Sequence, residues 1–162
     1  MSAHAPGAAF AIRAAHAADA SAISALLLQS LPQLVDDPDA PSLTAFRSSL
    51  QPQATLERLV APAFEHWVAI DAAGLYGFVA IRERTHLFHL FVREDAQRRG
   101  IAQTLWATVR ASRPMASFTV NASTNAIAFY ARLGFSPTAP EQAAQGLRFR
   151  PMALEAIPAA PA

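Results

Sequence analysis

The sequence contains no cysteine in its 162 residues. This absence excludes disulfide bonds, thiolate metal sites and any mechanism in which a thiol carries a covalent intermediate. Lysine is missing as well, because all 13 basic residues are arginine, so the protein has no lysine side chain to be acylated. The histidines are scattered, with no HxxxH or HExxH pair, and we therefore expect no metal site.

Long hydrophobic runs and a strong excess of one charge are also lacking. The apolar run ISALLLQSL is too short to cross a membrane, and the net charge of +1 gives no general attraction to nucleic acid or to an anionic membrane. A secretory signal would need a charged stretch directly before a longer apolar run. We therefore expect a cytoplasmic protein with one domain over residues 10–155 and flexible termini over residues 1–9 and 156–162.

The stretch from Leu87 to Arg113 predicts a buried strand, a polar turn and an amphipathic helix. Strict alternation would place Phe88, Leu90 and Val92 on one face of the strand. Because the other face is also largely apolar, the strand should lie inside a sheet. Apolar residues then recur at helical spacing until a Ser-Arg-Pro sequence ends the helix.

The hexapeptide QRRGIA, residues Gln97 to Ala102, lies where the turn becomes the helix. The first turn of a helix has unpaired backbone N–H groups and the positive end of the helix dipole, so it favours an anion. Gly100 lets a ligand approach the backbone, and Arg98 and Arg99 add positive charge, which favours a diphosphate over a carboxylate. The alternative interpretation is an ordinary helix start with solvated arginines.

The order of the other elements predicts a mixed sheet. The helix between the strand at Leu87 and the following strand makes those two strands parallel, whereas the strands before them form an antiparallel hairpin. The first helix should stop at Pro32, and Pro151 should make the last strand an edge strand or give it a bulge. Residues 136–145 are expected to form a loop. The predicted strands cover 10–14, 66–70, 76–82, 87–92, 117–120, a segment starting at 135, and 147–154, and helices are predicted at about 19–32, 43–50, 56–60, 101–112 and 124–133.

Two longer motifs follow one another along the chain. The first, LFVREDAQRRGIAQTLW, joins a hydrophobic strand and a short turn to Q/R-x-x-G-x-G/A at the start of a helix. The second, VNASTNAIAFYARLGF, has an Asn and then a Tyr on a helix that Gly-Phe ends. Together they resemble the motifs of the GCN5-related N-acetyltransferase (GNAT) family, whose element order this chain matches from Phe10 to Leu154.

The resemblance implies a fold class and a cofactor. The fold would be α/β (α+β), with a mixed, mostly antiparallel central sheet of six to seven strands that contains a splayed parallel pair and is flanked by about four helices. Acetyl-CoA would be the co-substrate, and no metal would be needed. The residues around its diphosphate would be Gln97, Arg98, Arg99, Gly100, Ile101, Ala102 and Gln103.

The resemblance also implies roles for single residues. Backbone groups of Leu90, Phe91 and Val92 would hold the pantetheine arm, and the Leu90 N–H would stabilise the oxyanion. Asn125 would bind the pantetheine, although an Asn there can also be a simple helix-start residue. Tyr130 would protonate the departing sulfur, unless it is only a core tyrosine.

The general base stays open at this stage. Some relatives have a Glu on the strand before the Asn/Tyr helix, where this chain has Thr119. His89 is a candidate because histidine titrates in the right range, although a histidine on an apolar strand is often just a core residue. His86, Glu83 and a chain of water molecules are the other candidates.

The implied function is an N-acetyltransferase that moves an acetyl group from acetyl-CoA to a primary amine by direct attack in a ternary complex. We expect a small-molecule acceptor rather than a protein, and no nucleic-acid or membrane partner. Asp36, Asp37 and Asp39 could attract a cationic amine, or they could be solvated surface. The alternative function is a catalytically silent acyl-CoA sensor or partner module, and whether the chain forms a homodimer through its last strands stays open.

Overall fold

The computed structural model describes residues 10–156 of the chain. Within this range the chain forms eight β-strands and five α-helices. The strands are β1 (Ala11–Ala14), β2 (Phe64–Asp71), β3 (Gly74–Arg82), β4 (His86–Val92), β5 (Phe118–Ser123), β6 (Ser136–Pro137), β7 (Gln142–Ala144) and β8 (Leu147–Leu154). The helices are α1 (Ala20–Leu34), α2 (Thr44–Ser49), α3 (Pro52–Val60), α4 (Ile101–Ser112) and α5 (Ile127–Arg132).

All of these strands belong to one mixed sheet. Its order is β1-β2-β3-β4-β5-β8-β6, and β7 also pairs with β8. β4 and β5 run parallel, and the other neighbouring strands are antiparallel. The mixed, mostly antiparallel topology is confirmed, with eight strands in the described range rather than six to seven, and with five helices rather than about four. The strand that was not predicted is β7, whose three residues are exposed and show no apolar alternation.

Helices cover both faces of the sheet. On one face, Ile23 and Leu27 of α1 pack against Phe78 of β3. On the other face, Leu105 of α4 packs against Leu87 of β4 and its neighbours. These five side chains are almost fully buried, and the burial of each one stabilises the folded state by about 1.5–3 kcal/mol relative to an exposed position.

A β-bulge in β4 was not predicted. The register with β3 shifts between Ala80, which pairs with His89, and Ile81, which pairs with Leu87. Phe88 is therefore an extra residue in β4. The predicted strict alternation is wrong because this extra residue exchanges the faces of the strand. The residues on the α4 side are Leu87, Leu90 and Val92, and those on the α1 side are Phe88 and Phe91.

Two prolines do not act as predicted. α1 continues through Pro32 to Leu34, because a proline this close to the helix end removes only the bond to the Leu28 carbonyl. β8 has neighbours on both sides and an unbroken register with β5, so Pro151 causes neither an edge position nor a bulge. The Thr138 N–H donates to the Pro151 carbonyl at 2.9 Å. The N–H and C=O of a strand residue point to the same side of the strand, so the Pro151 nitrogen faces the same side as its carbonyl. That side lies between β6 and β7, and the N–H that proline lacks would have pointed there.

Other predictions of local structure are confirmed. β2 and β3 form the expected hairpin, and Gly134 after α5 has the left-handed φ of 102° that a helix-ending glycine adopts. No helix within residues 10–156 is long and apolar enough to span a bilayer. The predicted flexible termini lie outside the described residues, except for Ala156, and the single domain stays a prediction.

His66 of β2 is a buried histidine with an unmet hydrogen-bonding atom. Its side chain stacks on Phe78 at a ring distance of 6.4 Å, and its Nδ1 has no hydrogen-bond partner. Burial, followed by the positive charge of Arg58, lowers the pKa of His66 to about 4. The folded protein therefore holds this ring neutral at pH values where the unfolded chain protonates it.

Replacing His66 with Phe should flatten the pH dependence of stability. The folded-state pKa lies below the ordinary value, so the wild-type protein loses stability as the pH falls from about 6.5 towards 4. At pH 5 the loss of unfolding free energy attributable to the His66 ring is about 2 kcal/mol. Urea denaturation of both proteins at pH 7.5 and at pH 5 measures this loss. Replacing the exposed His16 with Gln serves as the control and should leave the wild-type pH dependence in place.

Candidate functional site

β4 and β5 separate after a short parallel contact. They pair only through His86 with Thr119 and Leu87 with Val120. Beyond this contact β4 continues along β3, whereas β5 is held by β8, so the two strands diverge as the resemblance implies. The gap opens into a cavity of about 610 Å³. The predicted site residues that line it are His89, Leu90, Phe91, Val92, Gln97, Asn125 and Tyr130.

The start of α4 has the backbone conformation of a tight turn. Gly100 immediately precedes the helix with a φ of 77°, and Arg98 has a φ of 63°. Ile101, the first helical residue, is buried in the core and anchors this end of the helix. A Cβ on Gly77 of β3 would lie 2.8 Å from the Phe91 carbonyl oxygen, so only glycine allows this close approach of the strands. The first turn of α4 is thereby held next to the end of β4.

The seven residues predicted around the diphosphate do not share one environment. Gln97 lines the cavity, and its Nε2 donates to the Val92 carbonyl at 3.1 Å and to Gln33 Oε1 at 3.3 Å. The Arg99 guanidinium lies 5.4 Å from the ring centroid of Tyr76, outside the cavity. Of the seven residues, Gln97 is the one that lines the cavity, and the group that all seven could offer a ligand is the backbone amide.

Tyr130 of α5 is buried and lines the cavity. Its ring makes edge-to-face contacts with Phe129 and Phe135 at 5.3 and 5.6 Å. Its hydroxyl makes no hydrogen bond to another described residue. Burial raises the pKa of Tyr130 above its ordinary value. The phenol therefore stays protonated at neutral pH and can donate its proton to a group in the cavity.

His89 lines the cavity among aromatic rings. Its ring centroid lies 4.3 Å from that of Phe88 and 5.5 Å from that of Phe91. Burial lowers the pKa of His89 well below its ordinary value, and repulsion by Arg58 and then by His66, when that ring is protonated, lowers it further. The imidazole is therefore neutral at pH 7 and can accept a proton, although it is a weak base.

His86 and Thr119 contact each other at the point where the strands begin to separate. Nδ1 of His86 lies 2.8 Å from Oγ1 of Thr119. Burial, then the positive charge of Arg82, lowers the pKa of His86. Thr119, the residue found where some relatives have a Glu, thus holds a second neutral histidine and supplies no carboxylate.

Comparison with known proteins identifies the family. The model of the acetyltransferase (GNAT) domain matches residues 32–156, which is most of the chain. This chain belongs to the GNAT family. The resemblance seen in the two motifs is therefore confirmed. No curated protein sequence matches this GNAT chain.

Solved structures share the fold of this GNAT domain. A GCN5-related N-acetyltransferase from Rhodopseudomonas palustris, also named a class-II aminotransferase, is 23% identical with a TM-score of 0.75, and the match covers 90% of this chain and 95% of that one. PaiA N-acetyltransferase from Thermoplasma acidophilum, in complex with coenzyme A, is 15% identical with a TM-score of 0.73, covering 91% and 99%. YncA from Salmonella typhimurium, with its cofactor acetyl-CoA, is 19% identical with a TM-score of 0.67, covering 95% and 98%.

Asn125 has a structural contact that was not predicted. Its Nδ2 donates to the backbone carbonyl of Gln33 at 2.8 Å. Gln33 lies in the last turn of α1, where carbonyl groups lack helical partners. The bond therefore connects the end of α1 to the segment before α5. No described residue donates to the Asn125 side-chain oxygen, which remains available toward the cavity.

The acidic loop does not line the cavity of this GNAT domain. Asp37 accepts a hydrogen bond from the Asp39 N–H at 3.1 Å, and Asp39 lies 3.9 Å from Arg47. Asp36, Asp37 and Asp39 are absent from the lining, as is every other carboxylate of the described residues. Within residues 10–156, no group of three or more His, Asp or Glu residues could hold a metal ion.

Sequence reasoning missed several residues that line the cavity. They come from the end of α1, from α2 and from the β7–β8 hairpin, which tertiary packing brings to the gap. Asn121 is the exception, because the alternation of buried and exposed residues along β5 could have assigned it to the exposed face. The missed lining residues include Ser30, Gln33, Phe46, Ser49, Asn121, Arg148 and Phe149.

Replacing Asn125 with Ala should lower the free energy of unfolding by about 1 kcal/mol, because it removes the bond to the α1 carbonyl. Urea denaturation at pH 7 measures the change. The Asn121→Ala variant is the control, since Asn121 also lines the cavity and its side chain makes no hydrogen bond to another described residue. Equal losses of stability in the two variants would show that the bond does not stabilise the fold.

Proposed function

We propose that this GNAT domain transfers the acetyl group of acetyl-CoA to a primary amine of a small molecule by direct attack in a ternary complex. The observation that supports this proposal best is the gap between β4 and β5. Its lining runs from Gln97, just before the start of α4, to Tyr130, so one elongated ligand that extends past Gln97 could touch an anion-binding helix start and a proton donor together.

The backbone of β4 suits the pantetheine arm. From Leu90 to Val92 the strand has no partner on its β5 side, so its polar groups on that side face the cavity. An unpaired strand edge binds an extended amide-containing chain as a further strand would. The Asn125 side-chain oxygen can accept a hydrogen bond from an amide of the same arm.

The first turn of α4 suits the diphosphate. α4 has 12 residues, which is long enough for a substantial dipole, and its first amides have no partners within the helix. Gly100 has no Cβ to block an approaching ligand. The residues proposed to surround the diphosphate are Gln97, Arg98, Arg99, Gly100, Ile101, Ala102 and Gln103.

The residues of the gap can carry out the transfer when acetyl-CoA supplies the thioester. The Leu90 N–H would stabilise negative charge on the carbonyl oxygen. The lone pair of the amine forms the C–N bond as the C–S bond breaks, and Tyr130 gives its proton to the sulfur. His89 would accept the proton that the ammonium form of the acceptor loses before it attacks, the second amine proton passes to solvent after the attack, and the phenol regains a proton from solvent. No residue needs to carry the acetyl group, in agreement with the absence of cysteine.

Tyr130→Phe tests the proposed acid. Turnover should fall about 10²-fold, because the sulfur would leave without a positioned proton donor. Acetyl-CoA affinity by calorimetry and stability should both be retained, since Phe keeps the ring contacts. Free-thiol release across an amine panel measures turnover. Tyr76→Phe is the control, because Tyr76 lies outside the cavity and its hydroxyl bonds Asp71. Acetyl-CoA binding without thiol release on any amine would favour the catalytically silent sensor.

His89→Gln tests the proposed proton acceptor. We expect turnover at pH 7 to fall about 10²-fold and the deficit to shrink at high pH, where the amine in solution is already neutral. His16→Gln is the control, because His16 is exposed and does not line the cavity. An unchanged rate at pH 7 would mean that His86, Glu83 or water accepts the proton instead.

A further inference from the structure

Four of the ionisable side chains that line the cavity are basic, namely the guanidinium groups of Arg82 and Arg148 and the rings of His86 and His89. The fifth is the phenol of Tyr130. Among the described residues, no Asp or Glu lines the cavity. A site designed for a polycationic amine would be expected to offer carboxylates.

Arg82 is the positive charge in this lining that lacks a compensating partner. It makes no ion pair with a described residue, and its guanidinium lies over the ring of Phe88 at 5.3 Å. Arg148, in contrast, lies 3.9 Å from Glu141. The neighbouring Glu83 is exposed in the turn after β3 and does not line the cavity. The Arg82 charge is therefore available to a ligand.

The position of Arg82 assigns it to the acceptor rather than to the diphosphate. It pairs in register with His86, at the first residue of β4, whereas the start of α4 follows the other end of that strand at Val92. The length of the strand separates these ends by about 20 Å. A guanidinium at His86 cannot reach a diphosphate bound at the α4 start.

Apolar side chains also line the cavity, beside polar ones such as Ser49, Asn121 and Gln145. Aromatic side chains from α2, β4 and β8 line it, which favours a ligand with an apolar body beside its charged group. These side chains are Phe46, Phe88, Phe91 and Phe149.

We propose that the acceptor is a primary amine that also carries a carboxylate on an apolar body, such as an apolar amino acid, and that Arg82 binds the carboxylate. Guanidinium groups bind carboxylates through paired, charge-assisted hydrogen bonds. This inference rests on the proposed acetyltransferase function and narrows its acceptor to one chemical class. Arg82 is a specificity residue, because it contacts the acceptor away from the reacting nitrogen.

The test compares two amines that differ in the carboxylate. The value of kcat/KM is measured for phenylalanine and for 2-phenylethylamine, with spermidine as a polycationic amine and O-phosphoethanolamine as a phosphate-bearing one. Wild-type protein should prefer phenylalanine over 2-phenylethylamine, and Arg82→Gln should lower that ratio by about 10- to 100-fold. The KM for acetyl-CoA should not change.

Two further variants separate charge from structure. Arg82→Lys keeps the positive charge without the paired geometry and should recover part of the preference. Arg84→Gln removes an exposed arginine from the same turn, outside the cavity, and should behave as wild type. If spermidine or 2-phenylethylamine is the better substrate and Arg82→Gln leaves the ratio unchanged, the inference is overturned while the acetyltransferase function stands. A preference for O-phosphoethanolamine would also overturn the inference, because the acceptor's anionic group would then be a phosphate and not a carboxylate.

A binding measurement keeps the inference testable without turnover. N-acetylphenylalanine is titrated into the protein in the presence of coenzyme A. Binding to wild type that Arg82→Gln weakens about 10-fold or more would support the carboxylate site even if no amine were acetylated. In that case the proposed function alone would fail. Equal binding to the two proteins would overturn the inference.

Discussion

The parallel contact between β4 and β5 is short, and its shortness creates the cavity. Two residue pairs join the strands, after which each strand follows its other neighbour. The bulge at Phe88 directs Leu90 and Val92 to the α4 side of the sheet. The backbone N–H and C=O groups on this edge of β4 therefore face the cavity. In a continuous sheet they would form hydrogen bonds with the neighbouring strand.

Burial determines the protonation states around this gap. It lowers the pKa of His86 and His89 and raises the pKa of Tyr130, so these three groups are uncharged near neutral pH. A neutral phenol and neutral imidazoles suit the transfer of protons during attack on a thioester. The charge that remains is on arginine, which does not lose its proton, and this gives the cavity near Arg82 its positive character.

The local parts of the site could be predicted because their signals are short in sequence. The strand, turn and helix around QRRGIA, the hairpin before them and Gly134 after the last helix all depend on neighbouring residues. The bulge in β4 could not be predicted, because both faces of this strand are largely apolar and an extra residue does not change the sequence pattern visibly. The bond from Asn125 to Gln33 could not be predicted either, because 92 residues separate its partners.

The two motifs, the family resemblance and the absence of thiol and lysine chemistry follow from residue type and spacing, and they can be seen in the sequence alone. The charges that line the cavity depend on the folded chain. The tertiary structure placed the acidic loop away from the cavity and Arg82 within it, since strand register and helix packing, which act between distant residues, set what lines a gap in a sheet.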